Sequence, residues 1–204
     1  MNQIRNKKDK KRAIGIMAKA FINSKGMTWM LKQKNENNLR LFLSYLFHEA
    51  AIKNGAWLTT DKNGVVLFYN MQNKKKSLQN IFRKLYVFII IMGFKNGLKA
   101  YRYKKIIDKI RPKTGWYGWL FATDNTTIGV GAAYEIKQEL FKMSDETNEP
   151  IYVETTTARA MILYKASGYY EYAKINHPYE DLTIWFMKRD PHTFNKKKLK
   201  KNKN

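Results

Sequence analysis

Apolar residues along this chain recur with two different periods, and the places where the period changes mark out its elements. Ile14, Met17, Ala18 and Phe21 follow steps of three and four and predict a helix over 12–21. After Gly26 and a short MTWML segment, Leu39, Phe42, Leu43, Leu46, Phe47, Ala50 and Ala51 keep the same rhythm and predict a second helix with one buried stripe. AWLTT and VVLFYN are strand-like and flank DKNG, whose Asn63-Gly64 is a hairpin signal. Residues 77–110 do not alternate and read as helices, broken between Gly93 and Gly97 and ended by Pro112. They contain the longest apolar run, LYVFIIIMGF at 85–94. That run is about half of a membrane span, and a buried helix is expected there rather than an anchor.

Beyond Pro112 strands and helices alternate. WYGWLFAT (116–123) has the composition of a central strand, and NTTIGVGAAYEIKQELF (125–141) places Gly129 and Gly131 before an amphipathic helix. Ala133, Ile136, Leu140 and Phe141 would face inward, with Lys137, Glu139 and Lys142 outward. IYVET (151–155) reads as a strand, and a helix over 158–166 stops at Ser167-Gly168, where glycine suits the position after the cap. Strands near 169–175 and 181–188 close the pattern, which implies a mixed α/β sheet. Gly129-Val130-Gly131 alone leaves two readings open, a tight turn or a phosphate cradle. It lacks the third glycine of a dinucleotide fingerprint and the Lys-Ser/Thr of a P-loop.

A length of 204 residues with 44% hydrophobic content fits one domain with a substantial core. The formal charge of +23 calls for an anionic partner, whether nucleic acid, membrane surface or phosphorylated small molecule. Its excess is lysine rather than arginine, which argues against reading of bases. RNKKDKKR (5–12) and KKKLKKNKN (196–204) are end runs expected to be solvated. The expected organisation is a basic extension over 1–11, one domain over 12–189 with a helical insertion at 77–110, and a basic disordered tail over 190–204. No cysteine is present, so disulfides and thiol catalysis are excluded. His48, His177 and His192 lack metal-ligand spacing, and no metal is expected. The apolar stretch Ala13 to Ala18 is too short for a signal peptide, and a cytoplasmic protein without a membrane partner is expected.

IGVGAA at a strand-to-helix junction, followed by YVETTTARAMILYKASGYY, resembles the GNAT superfamily of N-acetyltransferases. The resemblance spans about 116–188 and sets Ile128 at the loop's first, usually polar position, Gly131 at its glycine and Ala133 at its Gly/Ala. Tyr164 stands before the glycine-aromatic pair Gly168-Tyr169. The implied fold is a mixed, mostly antiparallel sheet flanked by helices, with a helical insertion before the central strand. The implied activity is transfer of the acetyl group of acetyl-CoA directly to a primary amine of a small molecule or peptide, by a monomer or homodimer without a metal.

By the same resemblance, the backbone of Phe121, Ala122 and Thr123 would hold the pantetheine and the thioester oxygen. Residues Ile128, Gly129, Val130, Gly131, Ala132 and Ala133 would take the pyrophosphate on backbone N–H groups. Thr157 stands where many members carry an asparagine that touches the pantetheine arm. Tyr164 would be the general acid and also touch the cofactor; Glu154, at a strand end, is the candidate base. For Tyr164 the alternative is a core tyrosine, and for Glu154 a carboxylate bound to backbone groups or a neighbouring lysine. His48, on an apolar helix, reads as a packed or surface histidine. Two rival functions remain at this stage: a silent GNAT-fold protein that binds coenzyme A, and a basic module for nucleic acid or anionic surfaces.

Overall fold

The computed structural model describes residues 1–75, 77–124 and 130–193, Val130 by its backbone alone. Its frame is one seven-stranded sheet: β1 (Asn2–Gln3), β2 (Ala56–Leu58), β3 (Gly64–Asn70), β4 (Trp116–Thr123), β5 (Ile151–Thr155), β6 (Tyr170–Asn176) and β7 (Thr183–Arg189), in the order β1-β2-β3-β4-β5-β7-β6. Only β4 and β5 run parallel; every other neighbouring pair is antiparallel. That pair is joined by α6 (Val130–Thr147), the long crossover that parallel neighbours require. The mixed, mostly antiparallel sheet expected from the sequence is therefore the one observed.

Helices cover both faces. α1 (Lys7–Phe21) and α3 (Glu36–Ile52), separated by the short α2 (Lys25–Thr28), pack on one face. α3 buries Leu39, Phe42, Leu43, Leu46, Phe47 and Ala50, the stripe read from the sequence, each worth roughly 1.5–3 kcal/mol apart from the alanine. On the other face, α6 and α7 (Ala158–Ala166) pack against Val66, Phe68, Ile151, Val153 and Met187. Between β3 and β4 lie α4 (Leu78–Tyr86), a π-helical turn (Val87–Ile91) and α5 (Gly93–Ile110). Gly93, at φ +70°, makes the break between them in a conformation that favours glycine.

The structure corrects four sequence expectations. Residues 1–11 are not an extension. Asn2 and Gln3 pair with β2, Ile4 is buried, and Asn6 caps α1 by accepting from the Asp9 N–H at 2.8 Å. The lysines of RNKKDKKR lie on the first turns of that helix, and its inner side carries Ala13, Ile16, Met17 and Ala18. The β2–β3 hairpin forms, but not through a two-residue Asn-Gly turn. Lys62 takes the left-handed conformation (φ +59°), and Gly64 is needed for space, since a Cβ there would stand 3.1 Å from the Ala132 Cβ.

The run 85–94 is not a buried helix: Val87 and Ile91 are buried, while Leu85, Tyr86, Ile89, Ile90 and Phe94 are exposed. Finally, Asp190 to Thr193 belong to the domain, because Asp145 on α6 accepts from the His192 N–H at 2.8 Å and pairs with buried Arg189 at 3.1 Å. The remainder of the expected tail, 194–204, lies outside the described residues.

Candidate active site

β4 and β5 pair over three positions, Trp116↔Ile151, Tyr117↔Tyr152 and Gly118↔Val153, and then part, although β4 continues to Thr123 and β5 to Thr155. The cause is visible on the other edge of β4. Leu67 and Phe68 are consecutive on β3, yet they face Leu120 and Gly118, so Trp119 is an extra residue, a β-bulge. Such a bulge bends its strand and increases the local twist. Gly118 marks the last close approach, where an added Cβ would lie 2.9 Å from Val153 Cγ1. From Trp119 to Ala122 the β5-facing edge of β4 has no strand beside it among the described residues. The splay lies at the carboxyl ends of the parallel strands, where open α/β sheets place ligands.

Several other elements end here. β3 begins there, with Gly64 opposite Thr123, and the turn between β6 and β7 follows the pair Asn176↔Thr183 at the same end. α6 and α7 both start there. Of the expected cofactor residues, Phe121 is exposed, Ala122 is buried opposite Val65 and Thr123 is half-buried. Ile128 and Gly129 lie outside the described residues, and α6 starts at Val130. Ala132 is buried, Ala133 half-buried, and Gly131 exposed with none of the described residues within 4 Å of an added Cβ. At Gly26, Gly55, Gly64, Gly97, Gly115 and Gly118 an added Cβ would meet a neighbour within 3 Å. Packing thus accounts for those glycines, whereas at Gly131 no described residue makes such a contact. A pyrophosphate on the first N–H groups of α6 fits that space.

Thr157 caps α7. Its hydroxyl oxygen lies 3.4 Å from the Ala160 N–H it accepts from, and its own N–H donates to Thr155 Oγ1 at 3.2 Å. The side chain serves its own helix, which is what N-cap threonines do. Tyr164 lies in the last turns of α7. Gly168, at φ +87°, ends the helix, and the Tyr169 N–H returns to the Tyr164 carbonyl at 3.1 Å. The two tyrosine rings pack with centroids 5.2 Å apart. This is a Schellman cap with its apolar contact, a local reason for tyrosine, glycine and an aromatic at this spacing. Burial pushes the Tyr164 hydroxyl up to about 12, so it is fully protonated near neutrality.

Glu154 is on the opposite face of the sheet from Tyr164. Arg111, just after α5, donates from Nε and Nη2 to its two carboxylate oxygens at 2.8 and 3.0 Å, and from Nη2 to the Tyr117 hydroxyl at 2.8 Å. The guanidinium also lies over the Tyr117 ring, 4.3 Å from its centroid. Burial raises the hydroxyls of Tyr69, Tyr103, Tyr117 and Tyr172 in this neighbourhood, which keeps them neutral. The sequence left open a carboxylate bound to backbone groups or a neighbouring lysine; the partner is instead a bidentate arginine 43 positions away.

The sequence reading missed a cluster beyond this pair. Trp29, following α2, packs on Tyr103 of α5 (5.5 Å between centroids), His177 (4.8 Å) and Tyr179 (5.5 Å). His177 Nδ1 accepts from the Tyr179 N–H at 3.2 Å, which puts the neutral ring's proton on Nε2. That nitrogen and Trp29 Nε1 are buried without hydrogen-bond partners among the described residues. Gly26 lies close enough to Thr156 that an added Cβ would be 2.6 Å from its hydroxyl oxygen, so this wall borders the end of β5. Nothing in MTWML or in the surroundings of His177 signals the contact.

His48 lies on α3 and accepts from Lys10 Nζ at 2.6 Å, as a packed histidine. No group of His, Asp and Glu among the described residues could hold a metal ion, and no helix among them is long and apolar enough to cross a membrane.

No protein-family model and no curated protein matches the chain in sequence. Solved structures do match it. A Corynebacterium glutamicum protein described as "histone acetyltransferase HPA2 and related acetyltransferase" is 20% identical, covering 92% of this chain and 93% of its own, with a TM-score of 0.64. The C-terminal condensation domain of Ebony, in complex with beta-alanyl-dopamine, is 12% identical over 91% of this chain and 96% of its own (TM-score 0.62). Arylalkylamine N-acetyltransferase 2 from Aedes aegypti is 11% identical over 93% and 97% (TM-score 0.56). At these identities the likeness is one of fold: the chain has the fold of the GNAT acetyltransferases.

Proposed function

We propose that the protein is an acetyl-CoA-dependent N-acetyltransferase that acts by direct transfer on a primary amine of a small molecule or peptide, in the cytoplasm. The observation that carries this reading is the splay behind the Trp119 bulge, with Gly131 in the first turn of α6 beside it and no described residue against it. Acetyl-CoA would supply the activated acetyl thioester. The β4 edge from Trp119 to Ala122 would donate backbone N–H groups to the pantetheine arm and the thioester oxygen, and the first turn of α6 would hold the pyrophosphate. Two fold neighbours favour arylalkylamines as first acceptors to try: the mosquito enzyme is named for them, and the Ebony domain holds a dopamine conjugate. The aromatic wall of Trp29, Tyr103 and Tyr179 is compatible with such amines.

Tyr164 is the proposed acid for the departing thiolate. At about 12 its hydroxyl is a weaker acid than an ordinary thiol near 8.5, a gap of roughly 5 kcal/mol against proton transfer. The role therefore requires the thiolate to be as poorly solvated as the tyrosine. We do not assign Glu154 the base, since both its oxygens hold Arg111; it positions that arginine and the end of α5.

Thioester consumption against an amine panel tests the activity, and Tyr164→Phe tests the acid. Turnover should fall about 10² to 10⁴-fold with cofactor affinity nearly unchanged, because the Schellman contact needs only the ring. The wild-type rate should show no alkaline limb below about pH 10 from this group. Binding of acetyl-CoA without consumption of any amine would leave the silent binding protein as the reading.

A further inference from the structure

α4 is attached to the domain by its polar side. Asn80 is buried and donates to Glu49 Oε1 at 2.7 Å, and Arg83 Nη1 donates to the Asn80 side-chain oxygen at 3.3 Å. The π-helical turn that follows adds Val87 and Ile91 as apolar anchors. The apolar stripe points the other way: Leu78, Ile81, Phe82, Leu85 and Ile89 follow steps of three and four and are all at least half exposed, Phe82 at 74%. It continues across Gly93 through Phe94, 76% exposed, to Leu98 and Tyr101 on α5. Surface helices of folded domains bury such a stripe, and an exposed apolar patch of this extent marks an interaction surface.

Charge decides between occupants. Residues 71–107 hold ten lysines and arginines and no aspartate or glutamate. Lys84, Lys95, Arg102 and Lys105 are exposed on the same two helices, and the chain as a whole carries +23. A second copy docked on this face would bring two cationic rims together. An anionic lipid surface meets both features, since acyl chains accept the apolar stripe and headgroup phosphates accept the cations. We infer that the α4–α5 face docks the protein onto an anionic bilayer surface, lying in the interface without spanning it. α5 also carries Tyr103 and Ile107 and is followed directly by Arg111, so one helix links the membrane face to the acceptor-side wall.

The test is co-sedimentation of the full chain with vesicles of phosphatidylcholine alone and of phosphatidylcholine mixed with phosphatidylglycerol, at physiological and at raised salt. The expected result is binding to the mixed vesicles only. A charge-neutral triple variant, Phe82→Ser, Leu85→Ser and Ile89→Ser, should lose at least about a hundredfold in partitioning, a conservative figure for three large apolar side chains. It should melt near the wild-type temperature, because these side chains support no core. Should it misfold, Phe94→Ser and the pair Lys84→Glu with Lys95→Glu probe the same surface singly; each should weaken binding. Unchanged binding by the folded serine variant would overturn the proposal, leaving non-specific attraction by lysines. So would indifference of the wild type to mixed vesicles, or a wild-type dimer that the variant splits, which would make the face a contact between copies.

Discussion

Gly131 offers a perturbation with two effects of opposite sign. In the free protein it is an exposed helical residue with no left-handed φ and, among the described residues, no neighbour for an added Cβ, so those contacts do not require glycine there. Glycine costs a helix up to about 1 kcal/mol relative to alanine. For a chain of this size that is roughly 2–4 °C, so Gly131→Ala should melt slightly higher than wild type. Gly131→Glu should also remain folded, since an acidic side chain near a helix start is favourable by roughly 0.3–1 kcal/mol. With ligand the order reverses. Acetyl-CoA at a hundred times its dissociation constant should stabilise the wild type by about 2.7 kcal/mol, or roughly 5–10 °C. The carboxylate introduced by Gly131→Glu would fill the space assigned to the pyrophosphate and repel it, so the shift should vanish, with an intermediate response for the alanine variant. Scanning fluorimetry on the three proteins with and without acetyl-CoA reads both effects. A full ligand shift in Gly131→Glu would refute the phosphate assignment. A drop of several degrees in the free variants would show that the glycine is structural after all.

Two further predictions concern titration and pairing. Burial, with Lys10 and Arg83 nearby, pulls His48 from its usual 6.5 to about 4. The folded ring therefore stays neutral while the unfolded ring takes a proton, so its contribution is present above pH 6.5 and is lost as pH falls towards 4. Discounted for its partial exposure, the loss is about 1–2 kcal/mol, and the melting temperature of His48→Gln should fall less than that of wild type between those values; parallel curves would contradict the burial. Glu154→Gln should destabilise by about 2–3 kcal/mol by removing the bidentate counter-charge of Arg111, which then keeps only the half-exposed Asp108 at 3.8 Å, and Glu154→Leu with Arg111→Met should recover part of that. A variant with unchanged melting temperature and turnover lowered by about 10² or more would instead restore Glu154 as the base.

The C-terminal half was the most legible part of the sequence, because its signals are local. A strand, a glycine-bearing start and an amphipathic helix needed only composition and a 3.6-residue period, and Gly168 ended α7 as expected. The hairpin was half legible: both strands were found, but the glycine answers to close packing on Thr59 across the turn and on Ala132, 68 positions away, rather than to a two-residue turn. Tyr164 was singled out through a motif whose spacing a Schellman cap also explains. The Arg111–Glu154 pair and the Trp29–His177 contact could not be found that way. Their partners are 43 and 148 positions apart, and no local pattern encodes a meeting of that kind.

What the sequence determined by itself is therefore the identity of most helices and strands, their order, and the α/β class. These follow from side-chain periodicity and backbone preference, which act over one or two turns. Register and orientation were settled only in three dimensions. One extra residue at Trp119 moves β4 away from β5, and the sequence of a strand does not reveal which residue its partner will skip. For α4, an apolar stripe shows that the helix has two unlike faces and leaves open which one docks. The answer came from Asn80 meeting Glu49 and from Val87 and Ile91 finding the core, and those contacts turn the apolar face to the outside.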